Sequence, residues 1–412
     1  MEEFLIRAKR SANELVKIDG ATKKRVLRQM AEAMRENKDA ILEANALDMA
    51  YAKEANLSSA LLDRLLLDEE RIEGMARSVE EIAALKDPVG RVLDGWVIDN
   101  GLRIEKVSIP IGVIGIIYES RPNVTSDAAA LCFKSGNVAI LKGGKEAKNS
   151  NEAIAKILQD VLERNGLPRE VISLLPDYSR EGVDKLIKMD RYVDLIIPRG
   201  GEALIRYVSE NATVPVVKHD KGLCHTYIDK DADFDQAVRI AVNAKVQRPG
   251  VCNAMETLLV DYAIKDEMLL RLYEAFKPHL TTLKGCALTR EVLPDIEEAG
   301  EQDFHTEYLE NILSIKVVDG VVGAIEHIQK YGSGHSEAIV TQNYETAEKF
   351  MNEIDAACVY VNASTRFTDG GVFGFGAEVG ISTNKLHARG PMGINDLTTY
   401  KYKIYGHGQI RE

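Results

Sequence analysis

A chain of 412 residues with 45% hydrophobic content is too long for one ordinary domain and carries enough apolar residues for two or three conventional cores. Its formal net charge of −12 argues against a surface for nucleic acid or for an anionic membrane. Five cysteines, Cys132, Cys224, Cys252, Cys286 and Cys358, are scattered without CxxC spacing, and the start has no signal-like segment; together these fit a reducing cytoplasm. The longest apolar stretch, 107–118, is broken by Pro110, Gly112 and Gly115, so it reads as buried strands and no membrane anchor is expected.

Residues 2–86 read as a run of amphipathic helices, including 31–37 and 38–55, with apolar residues three and four apart. The pattern then changes to WVIDNGLRIEKV over 96–107. Asn100-Gly101 between two β-type runs predicts a hairpin with a type I′ turn, which could stand away from the body as an arm. From 111 strands and helices alternate: strands at 111–118, 138–141, 171–174, 193–197 and 214–217, helices at 124–134 and 151–165. Ser150 is placed as the second helix's N-cap and Gly166 just past its end.

A second cycle runs from Cys224, with strands at 226–228, 258–260, 312–318, 338–340 and 358–362 and helices at 234–246, 321–331 and 344–354. Such alternation predicts two successive open, mostly parallel sheets covered by helices, an α/β fold. The tail 398–405 alternates again and could pair with the hairpin, in the same or another subunit.

Cys252 follows Gln247-Arg248-Pro249-Gly250-Val251 and precedes the apolar run 257–260. Pro-Gly ends a helix and offers a left-handed position, so the chain turns before the thiol, with Arg248 four residues upstream. From local sequence the thiol reads equally as a small buried residue or as an ionisable nucleophile. The other four cysteines read as buried apolar residues. Lys142-Gly143-Gly144-Lys145 follows a strand, and Pro198-Arg199-Gly200-Gly201-Glu202 follows another and opens a helix. Backbone N–H groups and lysines at such strand ends bind nucleotide phosphate or ribose, although a solvated turn fits the first loop equally well. Gly374-Phe375-Gly376-Ala377-Glu378-Val379-Gly380 has one residue too many for a dinucleotide fingerprint and reads as a loop closing over a site. His327 and His335 lack a carboxylate at ligand spacing, so no metal is expected. Hydrogen-bonding or structural roles suit His219 and His225.

Those residues fall into a wider pattern. The segment AIEHIQKYGSGHSEAI at 324–339, with 118–147, 246–260 and 373–393, resembles the gamma-glutamyl phosphate reductase (glutamate-5-semialdehyde dehydrogenase) family of the aldehyde dehydrogenase superfamily, over essentially the whole chain. The resemblance implies an aldehyde dehydrogenase-like fold of two Rossmann-like domains and a β-hairpin oligomerisation arm. The expected division is 1–95 with 108–222 for the cofactor, 223–397 for catalysis, and 96–107 with 398–412 for the arm. It also implies Cys252 as nucleophile and Asn123 as a side-chain donor in the oxyanion hole. Lys142 is implied on the cofactor ribose or its 2′-phosphate, and Glu307 on a cofactor ribose; Gly200 and Gly201 join the cofactor set from the loop reading.

The implied reaction is NADPH-dependent reduction of L-glutamyl 5-phosphate to L-glutamate 5-semialdehyde with release of phosphate, through a cysteine thioester, in proline biosynthesis. Hydrolytic aldehyde dehydrogenases carry a Glu-Leu-Gly-Gly segment whose glutamate activates water; here the corresponding stretch is Lys218-His219-Asp220-Lys221-Gly222, without that glutamate. A hydrolytic aldehyde dehydrogenase and a catalytically silent scaffold are the competing readings. Arg121, Arg248, Arg366 and Arg389, unranked, are candidates for the substrate's charges, and Ser364 and Thr365 for its amino-acid head. The expected partners are further copies of the chain in a homo-oligomer and a glutamate 5-kinase supplying the labile acyl phosphate.

Overall fold

The structure, a computed structural model, describes residues 1–217 and 221–411; Lys218, His219 and Asp220, where the missing glutamate was read, lie outside the described residues. The chain forms two compact units, Met1–Lys218 with Gly374–Gly380 and Met392–Glu412, and His219–Phe373 with Ile381–Pro391.

The first unit begins with the helices Glu2–Leu15, Gly20–Glu36, Lys38–Glu54, Ser59–Leu65 and Glu69–Ala84. Strands β1 (Val92–Val97) and β2 (Arg103–Pro110) form the expected hairpin, and the tail strand Thr398–Tyr405 pairs antiparallel with β2 in the same chain. The turn differs from the expectation. Gly101 is left-handed at φ +85 while Asn100 is not, and Gly101 N–H donates to the Ile98 carbonyl at 2.8 Å. The connection is therefore a three-residue loop, 99–101, whose single left-handed position falls on glycine, not a two-residue turn needing two.

Next come β3 (Val113–Tyr118), β4 (Val138–Lys142), β5 (Ile172–Leu174) and β6 (Leu195–Arg199), a parallel sheet in the order β5-β4-β3-β6. Every residue of β3 and β4 is buried, as near-continuous apolar strands covered on both faces require. Each fully buried Val, Ile or Leu contributes roughly 1.5–3 kcal/mol. The expected strand 214–217 is reduced to a single bridge, Val216 to Ile196, because Pro215 has no N–H to extend a ladder.

The helix after β4 begins at Lys148, so Ser150 lies inside it. The acceptor for its first N–H groups comes from another helix: Asp48 takes the N–H of Asn149 at 3.1 Å and of Ser150 at 2.7 Å. A buried carboxylate there also matches the positive end of the helix dipole. Gly166, at φ +70, ends this helix as expected.

The second unit holds β7 (Cys224–Ile228), β8 (Met255–Asp261), β9 (Thr282–Gly285), β10 (Glu297–Glu298), β11 (Ile312–Val318), β12 (Ser336–Val340) and β13 (Cys358–Val361). They form a seven-stranded sheet in the order β10-β9-β11-β8-β7-β12-β13, with each neighbouring pair parallel. The helix Lys265–Phe276 and strands β9 and β10 were not anticipated from sequence. Among the described residues no helix is long and apolar enough to cross a membrane, and no group of three or more His, Cys, Asp and Glu side chains is arranged to hold a metal.

Candidate functional site

In the second unit the helix Phe234–Val246 stops before Pro249, the chain turns, and β8 begins at Met255. Cys252 sits half-buried on that turn. Gly250 does not use the left-handed freedom expected of it; no positive φ is found there. Pro249 is enough to end the helix, and the turn closes through Ala254 N–H on the Val251 carbonyl at 3.0 Å.

The cysteine's surroundings are built from the amino ends of three strands. Cys224, at the start of β7 and beside an irregularity in its register with β8, donates its thiol to the Cys252 carbonyl at 3.2 Å. Cys224 Sγ also lies 3.6 Å from His335 Nδ1, just before β12. His335 Nδ1 meets Ser336 Oγ at 2.8 Å, and that hydroxyl meets Thr368 Oγ1 at 2.7 Å. Burial pushes the Cys224 thiol well above its ordinary value, with the Glu337 charge adding to the effect. Cys224 is thus a neutral buried thiol, in line with the sequence reading, but one bonded to the candidate nucleophile's backbone.

Gly222 packs on the same backbone and donates its N–H to Glu307 Oε1 at 2.8 Å. Glu307 is therefore brought close to Cys252 through one glycine. Two residues later Leu309, at φ +55, donates its N–H to Glu256 Oε1 at 3.2 Å. Glu256 Oε2 accepts from Lys245 Nζ at 2.6 Å, both side chains being almost fully buried. Burial pushes Glu256 up to about 7 against the opposing pull of Lys245.

Asn253 is held from the other side. Its Nδ2 donates to the Thr368 carbonyl at 2.7 Å, and Thr365 Oγ1 donates to its carbonyl at 2.7 Å. Thr365 is completely buried, so the expectation that it touches substrate is corrected: its hydroxyl fastens the turn that carries Cys252. Ser364 is also buried and its hydroxyl accepts from Arg366 N–H at 3.3 Å. Of the four arginines, Arg389 is paired with Asp355 at 2.7 Å, and Arg121 belongs to the first unit.

In the first unit, strand order reverses beside β3, where the chain leaves β5 and returns as β6 on the other side. Open α/β sheets bind ligands at the carboxyl ends of strands at such a point. There Gly200 and Gly201 open the helix Glu202–Asn211, and Gly201 N–H donates to Glu119 Oε2 at 2.9 Å. A Cβ on Gly200 would stand 2.7 Å from the Glu119 carboxylate. Lys142, at the end of β4, is not a solvated turn lysine. It is 8% exposed, and its ammonium donates to the carbonyls of Tyr178 at 2.9 Å and Gly143 at 3.1 Å.

Asn123 opens the helix Asn123–Lys134 after β3, exposed, and its Nδ2 donates to Asp127 Oδ2 at 3.1 Å. Sequence reasoning passed over Asp127, although its position four residues along a helix is the spacing that brings two side chains together. Lys142, Gly200, Gly201 and Asn123 thus lie in the first unit, and Cys252 and Glu307 in the second.

Comparison with known proteins agrees with this architecture. Residues 1–284 match the aldehyde dehydrogenase family. The chain is 84% identical over 412 residues to a gamma-glutamyl phosphate reductase of a Nitratiruptor species, covering 100% of both chains. It is 72% identical over 411 residues to the enzyme of that name from a Sulfurovum species, again covering 100% of both. The crystal structure of gamma-glutamyl phosphate reductase from Thermotoga maritima, 48% identical, superposes with a TM-score of 0.98 over 100% of this chain and 99% of that one. The chain therefore belongs to the gamma-glutamyl phosphate reductases, within the aldehyde dehydrogenase family.

Proposed function

We propose that this protein reduces L-glutamyl 5-phosphate to L-glutamate 5-semialdehyde, releasing phosphate, with NADPH as reductant and a thioester on Cys252, in proline biosynthesis. The observation that carries this reading is the half-buried Cys252 on a turn whose backbone is fastened from three sides, by Cys224, Gly222 and Thr365. A nucleophile attacking an acyl carbon gains most from such fixed placement. The full-length likeness to enzymes named for this substrate supports the choice of acyl group.

In this reading the Cys252 thiolate forms a bond to the acyl carbon while the carbon–oxygen bond to phosphate breaks, and the electron pair leaves with the phosphate. Asn123 donates its amide N–H to the carbonyl oxygen as negative charge develops there; loss of one such donor typically costs about 10²–10³ in kcat. NADPH, when bound, supplies the hydride that turns the acyl group of a thioester into an aldehyde. Lys142 would hold the cofactor's ribose or 2′-phosphate, supported by an ammonium with two of its three protons committed to carbonyls among the described residues. Gly200 and Gly201 would let its phosphates approach the helix that opens at Glu202, and Glu307 would contact a ribose. Collapse of the tetrahedral adduct returns the Cys252 thiolate and frees the semialdehyde.

The division of labour proposed is cofactor binding by 1–95 with 108–222, catalysis by 223–397, and subunit contact through 96–107 with 398–412. A homo-oligomer is expected, and a functional contact with glutamate 5-kinase would protect the labile acyl phosphate. The reverse reaction tests the reading: oxidation of the semialdehyde should require inorganic phosphate or arsenate and should vanish in Cys252→Ala. Vigorous oxidation without phosphate would instead identify a hydrolytic enzyme, and an unreactive wild-type protein a silent scaffold.

A further inference from the structure

An acyl phosphate carries its dianionic leaving group on the carbon that the nucleophile attacks, so the groups holding that phosphoryl lie close to the nucleophile. Two arginines of the second unit are carried on the segments that frame Cys252. Arg248 is exposed, four residues before Cys252. Arg366 is half-buried on the turn 364–368. That turn is tied to Asn253, the neighbour of Cys252, through Thr365 Oγ1 on the Asn253 carbonyl and Asn253 Nδ2 on the Thr368 carbonyl, each at 2.7 Å. Arg366 Nε in turn donates to Gln247 Oε1 at 2.9 Å, and Gln247 is the residue before Arg248. Both ends of the segment that presents Cys252 are thus fastened to the turn that carries Arg366.

Arg389 is paired with Asp355, whereas among the described residues neither Arg248 nor Arg366 has a carboxylate within ion-pair distance. Burial, with the like charge of Arg248 second, holds the Arg366 guanidinium below its ordinary range; Cys252, Asp369 and Cys224 act in the opposite sense. A half-buried cation that feels the like charge of a second is unfavourable unless an anion joins them.

We propose that Arg248 and Arg366 form the subsite for the phosphoryl group of the acyl phosphate and, in the reverse direction, for inorganic phosphate. This rests on the proposed function and adds which residues select a phosphorylated acyl group. As the carbon–oxygen bond breaks, charge accumulates on the departing phosphate, and guanidiniums bind such oxygens through paired, charge-assisted hydrogen bonds. The amino-acid end of the substrate is a poorer match, since its ammonium needs an anionic partner. Asp369, the carboxylate that acts on Arg366, already accepts the N–H groups of Gly371 at 2.9 Å and Val372 at 3.1 Å.

The test varies inorganic phosphate in the semialdehyde-oxidising direction for the wild-type enzyme, Arg248→Met, Arg366→Met and Arg366→Lys. KM for phosphate should rise about 10- to 100-fold in each methionine variant, as expected for loss of a charge-assisted hydrogen bond. KM for the semialdehyde should stay within about twofold, and Arg366→Lys should recover part of the loss because it keeps the charge without the fork. Independently of turnover, inorganic phosphate should slow iodoacetamide alkylation of Cys252, read by peptide mass, in the wild type and not in Arg248→Met or Arg366→Met. A raised KM for the semialdehyde with an unchanged KM for phosphate would assign the pair to the substrate carboxylate and overturn the proposal, as would phosphate protection that survives both substitutions. A wild-type enzyme that does not oxidise the semialdehyde with phosphate would remove the proposed function instead; the alkylation measurement would then still decide whether the phosphate subsite exists.

Discussion

Gly222 lies so close to Cys252 that a Cβ built on the glycine would stand 1.8 Å from the Cys252 carbonyl oxygen and 2.6 Å from its Cα. The obstacle is backbone, which cannot swing aside as a side chain can. Gly222→Ala must therefore displace the cysteine turn or break the bond from Gly222 N–H to Glu307. The expected result is a kcat lowered by about 10²-fold, the scale associated with a 1 Å misplacement, with alkylation of Cys252 altered in parallel. Wild-type turnover in Gly222→Ala would mean that the turn does not need its observed position.

The Asn123 amide should depend on Asp127. A carboxylate four residues along the helix accepts from Nδ2, which fixes which end of the amide is the donor and points its second N–H away. Burial pushes the Asp127 carboxyl up to about 6, outweighing the lowering pulls of Ser78, Asn123 and Arg199. The ionised form, the stronger acceptor for Asn123, is thus present above that pH and gives way to the weaker neutral carboxyl below it. The wild-type kcat should fall as pH drops through about 6, and Asp127→Asn should lower kcat at neutral pH, leave KM nearly unchanged and abolish that limb. If Asn123→Ala and Asp127→Ala lower kcat additively, the two side chains do not act as a unit.

Lys142→Ala should raise KM for NADPH more than for NADH if its ammonium holds the 2′-phosphate; equal effects would remove that role. The same change strips a donor from the Tyr178 carbonyl. A stability loss of about 1–3 kcal/mol should accompany it, measurable by urea unfolding without cofactor.

The Lys245–Glu256 pair should be structural, and its test is thermodynamic. Lys245→Met leaves a buried carboxylate without its cation, at a cost of about 3–5 kcal/mol near neutral pH. Burial raises the folded-state value of Glu256 above its ordinary 4.5. The penalty is therefore small at pH 4 and grows as pH rises, because ionisation is easier in the unfolded chain. Lys245→Met with Glu256→Leu should recover most of the stability and flatten the pH dependence.

The arm offers an apolar face. Trp96 and Ile404 both stand opposite Ile104, so all three side chains share one side of the sheet, where Tyr402 meets Trp96 edge-on at 6.2 Å. Trp96 and Ile404 are exposed in the single chain. Trp96→Asp with Ile404→Asp should lower the sedimenting mass towards that of one chain while far-UV circular dichroism is preserved. Unchanged mass would mean that subunits associate elsewhere.

Much of the fold is legible in periodicity, because strands buried on both faces must be apolar throughout and their covering helices must be amphipathic. The boundaries of the helix Phe234–Val246 follow directly from its cap, Asp233, and from the proline beyond it. Local reading fails where the deciding partner is distant in sequence. Ser150 has the chemistry of a cap, yet Asp48 on another helix caps that segment. Asn100-Gly101 has the composition of a two-residue turn, yet Ile98 bonds to Leu102 across it, at 3.0 Å, and leaves three residues in the loop.

The sequence by itself placed Cys252 on a turn, since Pro249 ends a helix before it whatever surrounds it, and left its thiol open between a buried residue and a nucleophile until the long motifs implied the family. Only the tertiary structure decided what holds and charges that turn. Gly222, Cys224, Thr365 and Arg366 reach the Cys252 segment from 30, 28, 113 and 114 positions away in the chain. Close packing and hydrogen bonds act over a few ångströms in space, and no local pattern of residues encodes which remote segment will arrive there.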